Sequence, residues 1–314
     1  MLTRLFQPQI RESIATAPTF TSAITNDTYW AEYIPTKQQI AISSYGGQAV
    51  YFYSPSSNSV TATVTPTGSL TMRESVYCPS NNKLYCCTTG SKVVVIDCLG
   101  TPAVNTILTT IPCAGTPCYC DYDNYIYAAD YASGSITVIN PATNAVITTI
   151  TGSASTINGV FYNQRTKKVW GLNANTGELK IINPASAWAI TTLTVSASAA
   201  LAYATGNVDH SKIYISSNAT NKLFIINSDT NAVTSITLTA SLGVGYIPSI
   251  YRIVCCISGG TLVTVINPIN NVVTTTFAFS TGGRSVGWIP YCDRYFIGSS
   301  AVSYIAVGNP ALLY

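Results

Sequence analysis

Short aliphatic runs recur along the chain, each closed by one polar residue and followed by a turn and a Thr-rich run. Three copies show the pattern plainly: YIYAADYASGSITVINPATNAVITTIT, KVWGLNANTGELKIINPASAWAITTLT and KIYISSNATNKLFIINSDTNAVTSITL. Aligning the closing polar residues gives Ser54, Asp97, Asn140, Asn183, Asn227, Asn267 and Asn309, at intervals of 43, 43, 43, 44, 40 and 42 residues. Short β-branched runs bounded by turn formers read as strands. Four such runs in a period near 40 residues are the arithmetic of one propeller blade. In the third unit the predicted strands are A over 117–120, B over 125–129, C over 135–140 and D over 145–151. The seven anchors therefore predict an all-β chain, a seven-bladed β-propeller of four-stranded antiparallel blades.

The turn after strand C has its own chemistry. At Asn140-Pro141 the proline fixes φ and removes a donor that a continuing strand would need, while the Asn side chain can accept a local backbone hydrogen bond. Strand C carries the strongest aliphatic runs, such as residues 93–96 and 262–266, as expected of strands buried on both faces. Strand D is Thr-rich, which suits an outer strand that keeps β geometry while touching water.

These repeats resemble the seven-bladed propellers built from the YVTN-type repeat, and share the layout of NHL repeats. The matching pieces are Lys83-Leu84-Tyr85 with residues 94–97, residues 126–128 with 138–141, residues 212–214 with 225–227, and Pro268 with residues 271–273. The resemblance spans residues 28–314 and departs from the usual repeat in its few acids and its vicinal cysteines. It implies the fold and leaves function open, since one fold hosts binding modules, scaffolds and enzymes.

The last unit stops short of its D strand, while the head of the chain has residues to spare. Part of residues 14–24 is expected to supply that outer strand, which would remove an exposed edge and close the ring. Residues 13–314 then form the propeller and residues 1–12 an N-terminal arm. Leu2, Leu5, Phe6 and Ile10 of that arm are the candidate contacts to a neighbouring protein.

Composition narrows the chemistry. Charged residues are 9% of the chain, aromatics 11%, and the net charge is +3. Ample apolar surface excludes a charge-driven disordered chain, and the scarcity of Glu, Lys and Arg excludes a coiled coil. No basic tract interleaves with aromatics, so nucleic acid is not an expected partner. No run is long enough to span a membrane as a helix, and residues 1–20 lack the apolar core of a signal peptide. Ten cysteines are too few for a disulfide scaffold, so reduced structural thiols are expected, in a chain made inside the cell and working in the cytoplasm or a virion.

The candidate sites each have a plain structural explanation. Cys118-Tyr119-Cys120 has the wrong spacing for a zinc knuckle, and Cys86-Cys87 and Cys255-Cys256 recur at equivalent B-strand positions, pointing to opposite faces. His210 is the only histidine, so a multi-histidine metal site is excluded. The Asp121, Asp123 and Asp130 cluster is expected to stabilise turns. Tyr33, Tyr77, Tyr246 and Trp288 close the A strands and are expected to pack between blades. Trp30 and Trp288, from the first and last units, are expected to seal the ring junction; a glycan platform is the competing reading. No catalytic, cofactor or metal set emerges. The resulting expectation is a structural or protein-interaction propeller, with a glycan-binding or small-molecule-binding propeller, or an enzyme, as the alternative.

Overall fold

Each aliphatic run becomes the third strand of a small sheet. The computed structural model describes residues 19–20, 24, 28–109, 111–151, 156–197, 199–207, 211–217, 219–238, 243–256, 262–278, 283–299 and 305–308. These form seven four-stranded antiparallel sheets, and the chain is a seven-bladed propeller. The third blade comprises Cys118–Cys120, Tyr125–Ala129, Ile136–Asn140 and Ala145–Ile150, each bound within one residue of the sequence expectation. The inner A strands are Thr28–Ile34, Met72–Cys78, Cys118–Cys120, Ile157–Asn163, Leu201–Asn207, Val244–Ile247 and Gly283–Ile289, for blades 1 to 7 in turn.

One apolar cluster fills each junction between consecutive blades. Strand period explains how one short run feeds two of them. In blade 2, Val94 and Ile96 pack toward blade 1, while Val93 and Val95 pack toward blade 3. Cys86 and Cys87 split the same way, as do Cys255 and Cys256 in blade 6.

The ring closes through the N-terminal segment. Thr19–Phe20 pairs antiparallel with Ile305–Gly308, placing Thr19 opposite Val307 and Phe20 opposite Ala306. The fourth strand of blade 7 thus falls inside the expected 14–24 segment, and it covers an edge that would otherwise be open. Buried Ile24 joins Ile40, Ile42, Ile289, Phe296 and Val307 in the junction between blades 7 and 1. The tryptophans do not seal that junction, contrary to expectation. Trp30 packs with the blade 5–6 cluster and Trp288 with the blade 6–7 cluster, because both turn off the sheet faces that meet at the seam. Residues 1–12, with Leu2, Leu5, Phe6 and Ile10, lie outside the described residues, as do anchor Asn309 and His210.

The polar anchors work as the turn chemistry requires. Asn140, Asn183, Asn227, Asn267 and Asp97 each accept, through Oδ1, the backbone N–H two residues on, at 2.8–3.2 Å. The turns then close on a residue at positive φ, among them Asn144, Asn231 and Asn271 at 57–60°. Asparagine tolerates this left-handed conformation better than most residues.

The same turns tie several blades to the one before. Tyr85 of blade 2 donates its hydroxyl to Asn144 Oδ1 of blade 3 at 2.9 Å, with the Pro141 carbonyl 3.3 Å away. Tyr214 of blade 5 repeats the contact with Asn271 Oδ1 and the Pro268 carbonyl of blade 6, at 3.1 and 3.4 Å. Lys212 Nζ reinforces it by donating to the Pro268 carbonyl at 2.6 Å. Between blades 3 and 4 the polarity changes: Trp188 Nε1 of the blade 4 turn donates to Tyr127 Oη at 3.0 Å. The Asn-Pro turn is therefore both a local stop and an inter-blade acceptor.

Candidate functional site

The inner edges of the A strands surround a channel that contains a cavity of about 460 Å³, within the size range of small-molecule sites. Exposed Arg165, in the turn after strand A of blade 4, lines it, so the cavity reaches the face that carries the A–B turns. At the other end, side chains from opposite blades meet. Tyr203 of blade 5 donates to Glu74 Oε1 of blade 2 at 2.9 Å and packs against Trp30 of blade 1 at 5.3 Å between ring centroids. Arg73 Nε lies 3.3 Å from Glu74 Oε2, and Arg73 Nη2 donates to Tyr29 Oη at 2.8 Å. The Arg284 guanidinium of blade 7 stacks 4.0 Å above the Tyr29 ring, a cation–π arrangement.

Backbone irregularity explains why these side chains gather. The A strands of blades 1, 2, 5 and 7 all lose register with their B strands at one level, across Thr28/Trp30, Met72/Ser75, Leu201/Ala204 and Gly283/Ser285. The skipped residues are Tyr29; Arg73 and Glu74; Ala202 and Tyr203; and Arg284. A bulge bends its strand and re-aims the side chain that sits on it. Blades 3 and 4 pinch together at the same level, where Thr116 and Gly159 form a parallel bridge. A Cβ on Gly159 would lie 2.8 Å from Thr116 Cβ, so only glycine permits that approach.

The floor carries two guanidinium groups and one carboxylate, an excess of one positive charge. Burial opposes the Arg284 charge, but neighbouring Tyr203, Tyr29 and Glu74 outweigh it and hold its pKa above the ordinary value. Burial also pushes the Tyr203 and Tyr29 hydroxyls up, and Glu74 adds to the effect. On the wall, Glu32 accepts the Tyr77 N–H at 3.4 Å. Desolvation pushes its pKa up to about 7, against the opposing hydrogen bonds from Tyr77 and Trp30.

Most residues singled out by sequence separate from this site, although Trp30, Cys118, Tyr119 and Tyr246 line the cavity. Trp30 lines the cavity, whereas Trp288 donates its indole N–H to Asp293 in a turn. Tyr77 and Tyr119 each donate to the Asn five residues on, Asn82 and Asn124, at 2.7 Å, so these A-strand aromatics hold A–B turns. Asp123 accepts from Tyr127, Asp121 from Tyr162, and Asp130 from the backbone of Ala132 and Ser133. Asp121 and Asp123 serve the A–B turn of blade 3 and Asp130 the turn after its strand B. Among the described residues no group of three or more His, Cys, Asp or Glu could hold a metal ion.

One cysteine expectation needs correction. Cys87 of blade 2 and Cys113 of the following connection form a disulfide, their Cα atoms 5.4 Å apart, so the thiols are not all reduced. The pair is separated by 26 residues and becomes adjacent only when strands C and D of blade 2 fold back between them. The other eight are free, and all but Cys292 are buried. Burial pushes Cys98 and Cys120 up to about 12 and Cys118 well above its ordinary value, so these sulfurs are protonated thiols and poor nucleophiles.

Sequence reading missed Arg73, Glu74, Tyr203, Arg284 and Glu32. A signal was present: counted back from the end of strand A, Trp30, Glu74 and Tyr203 share one position and Tyr29, Arg73 and Arg284 the next. Charges in the middle of inner strands, in a chain this poor in charge, mark that level as exceptional.

No protein-family model matches the chain, and no curated protein matches it in sequence. Fold and channel define a seven-bladed β-propeller with a polar, aromatic central cavity. The likeness to YVTN-type repeats extends to that architecture and no further. Among the described residues no helix is long and apolar enough to cross a membrane.

Proposed function

We infer that this propeller is a non-catalytic interaction module, which holds neighbouring protein subunits in a larger assembly through its outer strands. The observation that carries this reading is the chemistry of the outer edge. The D strands of blades 1 to 6 read SVTATV, AVNTIL, AVITTI, AITTLT, VTSIT and VVTTTFA, without one charged residue. Each is terminal in its sheet. Val146, Ile147, Val272 and Val273 are 40–53% exposed. Soluble proteins ordinarily blunt such edges with charge, proline or bulges. Here blades 1, 2, 3 and 6 carry a bulge in strand D but no strand carries charge, and an uncharged edge suits pairing with a strand of an adjacent subunit. A virion is the setting we favour, because its components are fixed among neighbours and need less charge to remain apart. The Cys87–Cys113 disulfide suits a particle that leaves a reducing cytosol. The buried, protonated thiols favour a binding module over an enzyme.

Lysine at two outer positions tests the reading. The full chain carrying Val146→Lys and Val272→Lys should keep its thermal midpoint within about 1 °C, because surface changes away from packed features cost little. Its co-sedimentation with the native assembly should fall at least tenfold. Wild-type incorporation of the double variant would overturn the proposal.

A further inference from the structure

The channel cavity has a built polar floor and walls that the outer-edge function does not use. Its lining mixes aromatic rings (Trp30, Tyr119, Phe161, Tyr162, Tyr246) with uncharged polar side chains such as Thr116, Asn163, Gln164 and Thr205. Among the buried polar atoms of the lining that lack a hydrogen bond are Asn163 Nδ2, Thr116 Oγ1 and the Nε of Arg284, whose guanidinium otherwise bonds to Tyr29. Buried polar atoms are rarely left unsatisfied, and here one N–H of a guanidinium, an amide donor and a hydroxyl are left over along one cavity.

The charges lining the cavity are Glu32, Arg165, Lys212 and Arg284. Arg165 is bidentate with Asp229, and Lys212 donates to the carbonyls of Pro268 and Ile269. Glu74 is occupied by Arg73 and Tyr203. Arg284 feels Glu74 but makes no ion pair of its own among the described residues, and it is held by Tyr29, over whose ring its plane is fixed. A planar guanidinium presented this way recognises a carboxylate with both charge and geometry. Aromatic rings beside amide and hydroxyl groups suit a ligand with apolar ring faces and a rim of hydroxyls.

We propose that the channel binds an acidic monosaccharide of the hexuronate class, as a free sugar or a glycan terminus, with its carboxylate on Arg284 and its ring among Trp30, Phe161 and Tyr162. The carboxylate takes the Nε proton donor, and a sugar hydroxyl reaches Thr116 Oγ1, which the bridge to Gly159 holds at the same level of the ring. The site lies on the axis and is separate from the D strands, so it stands or falls independently of the assembly role.

Titration of the full chain with galacturonate and glucuronate, each against its neutral hexose, tests this by calorimetry and by tryptophan fluorescence. At least one hexuronate should bind at least tenfold more tightly than its neutral partner, since one charge-assisted contact in a shielded site is worth about that factor. Arg284→Gln should erase the preference, and Arg284→Lys should restore part of it. The Val146→Lys, Val272→Lys variant should bind like wild type. If Arg284→Gln does not fold, the wild-type comparison and a competition series with acetate and succinate decide the matter. Equal affinity for acid and neutral sugars, no binding of either hexuronate, or tighter binding of the simple acids would overturn the proposal.

Discussion

Replacing Glu32 by glutamine should remove a pH dependence from the stability of the ring. In the folded protein burial lifts this carboxyl from an ordinary value near 4.5 to about 7. Between those two values the folded chain keeps a proton that the unfolded chain has released. Stability therefore falls as pH rises through that window and levels off above pH 7. A shift of this size corresponds to about 3 kcal/mol for a fully desolvated group. Glu32 lines the channel, where water screens part of the charge, so the expected loss is about 1–3 kcal/mol. For a chain of this length that is about 2–5 °C in thermal midpoint. Glutamine keeps the shape and can still accept from the Tyr77 N–H, but it cannot ionise. Thermal unfolding from pH 5 to 8 should show wild type and Glu32→Gln close together at the acid end, with the variant pulling ahead by pH 8. Parallel curves would show that Glu32 ionises as freely in the channel as in water, and the reasoning would fail.

Two further expectations concern how the blades are held. Tyr85→Phe and Asn144→Ala should each cost about 1–2 kcal/mol, with a coupling of about 1 kcal/mol in a double-mutant cycle; additive costs would mean that the hydroxyl and the turn do not act together. The Cys87–Cys113 bond closes a loop across blade 2, and removing it with Cys87→Ser and Cys113→Ser should cost about 3.5 kcal/mol by loop-closure entropy. Alkylation and mass spectrometry of the denatured, unreduced chain should find eight free thiols among ten cysteines, and ten would refute the bond.

Much of this molecule is written in local chemistry. The Asn-Pro anchors carry their turns within three or four residues, so blade number and C–D turn positions follow from spacing alone. Strand period two likewise sends Cys86 and Cys87 into different junctions without reference to anything distant. The missing final strand and the surplus at the head even expose the closure, because an unpaired edge is a cost that either end of the chain can relieve. The channel is of another kind. Tyr203 and Glu74 lie 129 residues apart, and nothing local to either names the other. They meet because ring closure sets blade 5 opposite blade 2, and because bulges at one level turn their side chains inward. The Cys87–Cys113 bond and the Tyr85–Asn144 contact depend in the same way on neighbours brought together by the packing of strands and blades. A repeat specifies the unit and its pairing through short-range patterns, whereas the contents of the axis depend on all seven units at once.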